Sequence, residues 1–248
     1  MTVHPDWIVP GWPAPPGVRA IITTRAGGVS TGPYGSFNLG VSVGDDPAAV
    51  AENRARLRAA LPSDPVWLRQ VHGAQVVDAD AHPELPHADA SVASRTGTVC
   101  AIQLADCIPV LFADRTGSVV AAAHAGWRGL AAGVIANTVQ AMVARGAASG
   151  DILAYIGPGI GPDAFEVGAD VYAAFTVQDD EAVHAFRPKA EGKWMADLHA
   201  LVRRALTRAG VTRLYGEPSC TVSDPARFYS YRRDRITGRM AALVWRAQ

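Results

Sequence analysis

Two histidines and one cysteine stand at the ends of apolar stretches of this sequence, where short turns marked by glycine or proline begin. They are His72, Cys107 and His124. Two imidazoles and one thiolate are the ligand set of a catalytic zinc site, which keeps a fourth position open for water or substrate. The 35 residues from His72 to Cys107 and the 17 from Cys107 to His124 match no compact zinc finger. A metal held by these three residues would therefore be bound across the fold.

Each of the three residues also has a simpler interpretation. A histidine at the end of a strand is usually only hydrogen-bonded, and a lone cysteine is more often a small buried hydrophobe than a nucleophile. Cys107 with a histidine could form a cysteine-hydrolase dyad without metal, or its oxidation could be the signal of a sensing module. Sequence spacing by itself does not bring the three residues together.

Three further polar residues stand in turns where chemistry could take place. Asp106 puts a carboxylate beside Cys107, either to move protons or merely to cap the turn. Arg25 precedes two glycines, and Arg128 lies in a glycine-flanked turn that opens a predicted helix. A guanidinium and free backbone N–H groups at such turns suit a phosphate or a carboxylate, although both residues could be ordinary surface arginines.

These residues need an alternation of strands and helices to position them. Apolar runs predict strands at residues 18–23, 66–71 with a continuation at 75–78, 99–104, 110–113, 119–123, 152–156 and 241–245. Helical spacing predicts helices from the Asp46-Pro47 start to the stop at Pro62, and at 130–144, 167–175 and 198–209. Pro109 is expected to bend the chain between two strands, and His124 to lie at a strand-to-helix turn. The pattern indicates an α/β protein with mixed sheets.

Composition limits the classes of function. The 248 residues are 49% hydrophobic and 19% charged, with 23 basic and 23 acidic side chains. This balance is typical of a globular protein, and it argues against nucleic acid or a membrane surface as a partner. Three cysteines are an odd number, and residues 1–10 do not read as a signal peptide. We expect a cytoplasmic protein with one domain over residues 1–248, since neither a repeat nor a linker divides the chain.

Several long motifs in this sequence resemble one known family. The three signature segments are 70–73 (Gln-Val-His-Gly), 105–112 (Ala-Asp-Cys-Ile-Pro-Val-Leu-Phe) and 122–129 (Ala-Ala-His-Ala-Gly-Trp-Arg-Gly). Residues 23–30 and 38–47 are similar to its amino-terminal block, and 157–167 and 228–239 to its later blocks. Together they resemble the YfiH-type proteins, also called the laccase-domain or polyphenol-oxidase family.

The resemblance implies a layered α/β/β/α domain and a divalent metal, usually zinc, on His72, Cys107 and His124. It also implies phosphorolysis of adenosine, inosine, guanosine and methylthioadenosine, together with deamination of adenosine. Arg25 and Arg128 are then predicted to bind phosphate, and Asn38 joins them as a predicted substrate-binding residue. Asp106, Cys107, Arg25 and Arg128 are the predicted catalytic residues, and the expected partners are a purine nucleoside and phosphate.

Two other activities attached to the family remain alternatives, namely copper-dependent phenol oxidation and editing of peptidoglycan precursors by an amidase. A multicopper site needs about ten histidines, and the sequence has seven, so that site is excluded. A single His₂Cys copper centre with Met240 or Met195 as axial ligand is compatible with the count. Deamination would use an arrangement of its own, because the His-x-Glu and Cys-x-x-Cys pattern of cytidine deaminases is absent.

Overall fold

The computed structural model describes residues 3–81, 85–216 and 218–247. Thirteen strands lie in this part of the chain. They are β1 Val18–Ile22, β2 Pro65–Val66, β3 Val76–Asp78, β4 Ala90–Ala93, β5 Val99–Leu104, β6 Ile108–Asp114, β7 Val120–Ala125, β8 Ile152–Ile156, β9 Glu166–Gly168, β10 Phe186–Ala190, β11 Lys193–Ala196, β12 Arg213–Tyr215 and β13 Met240–Arg246. The α-helices in the same part are α1 Pro47–Ala59, α2 Trp127–Ala131, α3 Val134–Val143, α4 Ala169–Thr176, α5 Leu198–Arg208 and α6 Tyr231–Asp234.

Two mixed sheets form the centre of the fold. The first has the strand order β1-β13-β5-β2, and the second has the order β12-β8-β6-β7-β4-β3. Strand β2 runs parallel to β5, and β3 parallel to β4, while the central pairs β13–β5 and β6–β7 are antiparallel. A small antiparallel sheet, β10-β11-β9, lies apart from these two. The predicted combination of mixed sheets is confirmed.

The two large sheets pack face to face. Ile102 and Val244 of the four-stranded sheet belong to one buried cluster with Leu111 and Ala122 of the six-stranded sheet. The outer face of the six-stranded sheet packs against α3 and α5, and the outer face of the four-stranded sheet packs against α1. Because both faces of each sheet are covered, the central strands read as continuous apolar runs. The expected α/β/β/α layering is confirmed.

Two helices begin where their sequence signals predict, and α1 ends at Ala59, before the expected stop at Pro62. The Asp46 side chain accepts a hydrogen bond from the backbone N–H of Ala48, and Pro47 opens α1. The Asp197 side chain caps α5 in the same way, and Gly210 follows that helix with a φ of 85°, which favours glycine.

The structure corrects four predicted elements. The strand expected at 66–71 is interrupted: Val66 pairs in β2, Arg69 forms only an isolated bridge with His87, and the N–H of Val71 bonds to a carboxylate instead of a neighbouring strand. The helix expected at 130–144 is two helices, since Gly133 has a φ of 93° between α2 and α3. The helix expected at 167–175 begins only at Ala169, because β9 pairs with β11.

Pro109 does not bend the chain, and this is the fourth correction. It is the second residue of β6, where a missing N–H is tolerated, and its carbonyl accepts a hydrogen bond from Gly157. His124, its partner across the ladder, lies within β7 rather than after it. Within the described ranges no helix is long and apolar enough to cross a membrane.

Candidate metal centre

The fold brings His72, Cys107 and His124 into one cluster. Their ligand atoms all lie within 4.8 Å of one another, and Cys107 Sγ is 3.9 Å from His72 Nε2. The two imidazole rings meet edge to face, with centroids 4.9 Å apart. His72 lies between β2 and β3, Cys107 in the turn between β5 and β6, and His124 in β7. Two of the three residues therefore lie where the chain passes from one large sheet to the other.

Asp89 holds both histidines of this cluster. Its Oδ1 accepts hydrogen bonds from the His72 backbone N–H at 2.9 Å and from His124 Nδ1 at 2.8 Å. Its Oδ2 accepts the N–H of Gly73 at 2.7 Å, and its backbone carbonyl accepts the N–H of His124. With Nδ1 engaged, His124 presents Nε2 to the cluster, which is how a carboxylate commonly orients a metal-binding histidine.

Asp89 was not among the predicted site residues, although its surroundings in the sequence are unusual for a carboxylate. It is a single carboxylate between two alanines, directly before a buried strand, and it is completely buried. A buried carboxylate needs several hydrogen-bond donors, and here three consecutive backbone N–H groups and one imidazole supply them. This demand also explains why His72 has a φ of 59°, since the chain must curl around the carboxylate.

Charges in the cluster favour a thiolate and a protonated His124 when no metal is bound. Burial alone would raise the pKa of the Cys107 thiol, but the charge of His124 and hydrogen bonds from both histidines bring that pKa below its usual range. Burial would lower the pKa of His124, yet the Cys107 thiolate and Asp89 raise it. Because the thiolate is the form that binds metals, Cys107 is already prepared as a ligand.

The space beside the cluster suits a metal ion with an open position. Gly126 leaves that space free, since a Cβ there would lie 2.9 Å from Cys107 Sγ and 3.0 Å from His72 Cδ2. Two imidazole nitrogens and a thiolate match a three-ligand zinc site or a His₂Cys copper site. No other cluster of three or more His, Cys, Asp or Glu side chains is present in the described ranges of the chain.

Asp106 lies beside the cluster, but both of its carboxylate oxygens accept hydrogen bonds from other residues of the chain. Its Oδ1 accepts a hydrogen bond from Thr221 Oγ1 at 2.6 Å, and its Oδ2 accepts one from the Arg232 backbone N–H at 2.6 Å. The residue has a φ of 94° and is almost buried. These bonds fix the turn that carries Cys107, which is a positioning role. A proton-transfer role for Asp106 stays a prediction.

The two arginines predicted to bind phosphate differ in how their guanidinium groups are bonded. Arg25 Nε donates to the Gly35 carbonyl and Nη1 to the Pro225 carbonyl, and the guanidinium lies over the ring of Tyr229. Arg128 is exposed, stacks on Trp127 and makes no side-chain hydrogen bond or ion pair with described residues. Because its guanidinium has no such partner, Arg128 is the freer of the two arginines to bind a ligand. It also lies only two residues from Gly126, which borders the cluster.

Asn38 is placed differently from a typical substrate-binding residue. It is completely buried, and its amide donates to the Gly40 carbonyl and to Asp45 Oδ2, while its Oδ1 accepts the N–H groups of Gly40 and Arg239. These four bonds use the full capacity of the side chain. Substrate binding by Asn38 therefore stays a prediction that would require an exchange of bonds.

The sequence is similar to known proteins over nearly its full length. Residues 19–247 match the family model described as multi-copper polyphenol oxidoreductase laccase. A purine nucleoside phosphorylase of Pseudomonas aeruginosa is 54% identical over 240 residues, covering 96% of this chain and 98% of the relative. The purine nucleoside phosphorylase YfiH of Escherichia coli is 51% identical over 241 residues, with the same two shares of coverage.

Solved structures show the same fold. Protein NMB0706 of Neisseria meningitidis has a TM-score of 0.93 at 49% identity, covering 98% of this chain and 100% of that one. YlmD of Geobacillus stearothermophilus has a TM-score of 0.92 at 33% identity, covering 100% and 98%. Agreement in sequence and in structure extends over nearly the full length of each protein, and the chain belongs to the YfiH or laccase-domain family.

Proposed function

We propose that this protein is a zinc-dependent purine nucleoside phosphorylase that accepts adenosine, inosine, guanosine and methylthioadenosine and that also deaminates adenosine. The convergence of His72, Cys107 and His124, with ligand atoms within 4.8 Å, carries the proposal. Relatives at 54% and 51% identity with the name purine nucleoside phosphorylase support the reaction.

In phosphorolysis, an oxygen of hydrogen phosphate forms a bond to C1′ of the ribose while the bond from C1′ to N9 of the purine breaks. The electron pair goes to the purine, which takes the proton of hydrogen phosphate, and ribose 1-phosphate is the second product. A bound zinc ion would supply Lewis-acid polarisation of a coordinated oxygen. Asp89 and the thiolate of Cys107 keep the ligand atoms in place, so no reorganisation is needed when substrate arrives.

The guanidinium groups of Arg128 and Arg25 would hold the phosphate against the ribose. Arg128 has no hydrogen-bond or ion-pair partner among the described residues. Arg25 would have to exchange its hydrogen bonds to the carbonyls of Gly35 and Pro225 in order to take part. For deamination, water replaces phosphate as the nucleophile and attacks C6 of adenine, and ammonia leaves. Asp106 is the nearest candidate in sequence for moving protons, by exchange of one of its present hydrogen bonds.

Chromatography of adenosine incubated with the zinc-loaded protein tests the proposal. We expect adenine and ribose 1-phosphate only when phosphate is present, and inosine in either buffer. Cys107→Ala should abolish both reactions together with zinc binding, whereas Cys220→Ala, which removes a half-buried thiol outside the cluster, should keep both. Equal product with wild type and Cys107→Ala would overturn the proposal.

Copper-dependent phenol oxidation is the second candidate, because the ligand set is also that of a His₂Cys copper site and the family model is described as a laccase. The single cluster in the described part of the chain argues against four coppers. Oxygen uptake by the copper-loaded protein with a phenol would support this activity. If the copper-loaded protein does not oxidise the phenol while the zinc-loaded protein converts adenosine, phenol oxidation is excluded.

We also propose that the protein works in the reducing cytoplasm. Its three cysteines, Cys100, Cys107 and Cys220, are all free thiols in the structure, and a disulfide at Cys107 would remove the metal ligand. Thiol labelling of the native protein in a cell extract should find three reactive or unfolding-exposed thiols. A disulfide detected there would contradict the assignment.

A further inference from the structure

Arg239 lies directly beside the turn that carries Cys107. Met240 is the first residue of β13 and pairs with Leu104, the last residue of β5. Because the two strands are antiparallel, the chain arrives at β13 through Arg239 at the same end of the sheet where it leaves β5 for Asp106 and Cys107. The cation therefore enters the neighbourhood of the metal centre from the four-stranded sheet.

The side chain of Arg239 is held in place by the chain. Its Nη1 donates to the carbonyls of Thr237 at 3.1 Å and Gly238 at 3.0 Å, and its Cζ lies 6.0 Å from the ring centre of Tyr231. Its stem lies against Gly40, where a Cβ would come within 2.8 Å of Arg239 Cγ. These contacts direct the guanidinium without neutralising it.

Arg239 lacks the anionic partner that a half-buried cation normally has. In the ranges that the structure describes, its Nε and Nη2 bond to no protein atom, and no carboxylate forms an ion pair with it. Burial lowers the pKa of Arg239, against the opposite effect of the charges of Cys107 and Asp106. A desolvated guanidinium whose Nε and Nη2 groups are unbonded is stabilised most by an oxyanion, which it can bind through two parallel hydrogen bonds.

We propose that Arg239 binds inorganic phosphate beside the His72, Cys107 and His124 cluster, as the main phosphate-holding residue of the site. The inference rests on the proposed phosphorolysis, in which phosphate is the nucleophile. Arg239 neither gives nor takes a proton in that reaction. It fixes the phosphate oxygen that forms the bond to C1′, and Gly40 is a positioning residue that leaves room for the arginine stem.

Calorimetric titration of inorganic phosphate into the zinc-loaded protein tests the assignment directly. We expect Arg239→Gln to weaken phosphate binding about tenfold or more, the loss of a bidentate charge-assisted contact, with one zinc per chain retained. Arg239→Lys keeps the charge but not the fork and should fall between the two. Arg115→Gln, which removes one positive charge from the opposite end of β6, should bind phosphate as the wild type does.

A second variant and a kinetic measurement guard against a folding defect. Gly40→Ala removes no charge but displaces the arginine stem, so it should also weaken phosphate binding. In the phosphorolysis assay, Arg239→Gln should raise the KM for phosphate while the KM for the nucleoside changes little. Unchanged phosphate affinity in Arg239→Gln, or no phosphate binding by the wild type, would overturn the inference. An absence of nucleobase release by the wild type would instead overturn the proposed function, whatever the titration shows.

Discussion

Asp89 connects the two histidines of the metal centre through a single carboxylate. We predict that Asp89→Asn weakens zinc binding about tenfold to a hundredfold, the usual effect of losing a carboxylate behind a ligating histidine. An amide nitrogen in place of Oδ1 would no longer accept from His124 Nδ1 and the His72 N–H, and one in place of Oδ2 would no longer accept from the N–H groups of Val71 and Gly73. Competition between the protein and a chelator of known zinc affinity measures the change.

A matched control separates metal binding from stability. Asp114 is also a buried carboxylate that accepts a backbone N–H, from Val119 at 2.7 Å, but it lies at the end of β6 remote from Cys107. Asp114→Asn should therefore destabilise the fold without changing zinc affinity. Equal zinc affinity in Asp89→Asn and wild type would contradict the role assigned to Asp89.

Gly126 provides the second residue-level prediction. Its φ of −72° suits any residue, so an alanine there changes packing rather than backbone conformation. The new Cβ would lie 2.9 Å from Cys107 Sγ and 3.0 Å from His72 Cδ2, and these ligands would have to move apart. We expect Gly126→Ala to lower zinc content while unfolding remains cooperative. Gly11→Ala, with no heavy atom within 4 Å, is the control, and full zinc occupancy in Gly126→Ala would refute the argument.

The sequence singled out the three residues of the cluster but not the residues that support them. His72, Cys107 and His124 could be selected because their residue types and the turns near them are visible in the sequence. Asp89 and Arg239 could not, because their roles depend on which backbone groups the fold brings to them. Asp106 and Asn38 show the same limit, since the side-chain polar atoms of both residues are hydrogen-bonded within the chain.

Among the elements, the long buried strands were predicted and the exposed ones were not, while the short buried strand β4 was missed. Strands β5 and β8 have the bounds that their apolar runs predict. Strand β10 carries exposed residues at four of its five positions, so neither alternation nor an apolar run marks it. The strand expected at residues 66–71 is interrupted for another reason, because Arg69 pairs with His87 only as an isolated bridge and the N–H of Val71 bonds to a carboxylate from a distant part of the chain.

Helix α5 is tied to the preceding segment by an ion pair that should respond to acid. Asp179 accepts hydrogen bonds from the Arg204 guanidinium through both oxygens and pairs with Arg208 at 2.9 Å. The bonds from Arg204 are the main reason that the pKa of Asp179 falls to about 2 from its usual 3.8. A depressed carboxyl pKa stabilises the fold above the unfolded pKa, and this contribution is lost as the pH falls through the folded pKa.

We therefore predict that Asp179→Asn is less stable than the wild type near neutral pH and that the difference shrinks between about pH 4 and pH 2. Urea unfolding of both proteins at several pH values measures it. Asp163→Asn removes an exposed partner of Arg187, and it should cost about 1 kcal/mol or less. A wild-type advantage that stays constant down to pH 2 would show that the ion pair does not stabilise the fold.

For the protein as a whole, the position of the metal centre links binding to folding. His72 and Cys107 lie in two of the connections between the four-stranded sheet and the six-stranded sheet, and His124 lies in the six-stranded sheet itself. An ion bound by all three residues would therefore link the β2–β3 and β5–β6 connections to strand β7. Since the three residues are distant in sequence, the unfolded chain cannot present them together, so an ion held by them would bind the native state.

We predict one cooperative thermal transition whose midpoint rises with zinc and falls with a chelator. One transition is expected because the two sheets share a buried cluster, with Ile102 and Val244 packed against Leu111 and Ala122. Zinc at a hundred times its Kd should add about 2.7 kcal/mol to the free energy of unfolding. Calorimetry of wild type and Cys107→Ala measures both effects. The variant should unfold at the same temperature with or without zinc. Two separate transitions in the wild type would contradict a single folding unit. A zinc response that persists in Cys107→Ala would contradict the link between the centre and folding.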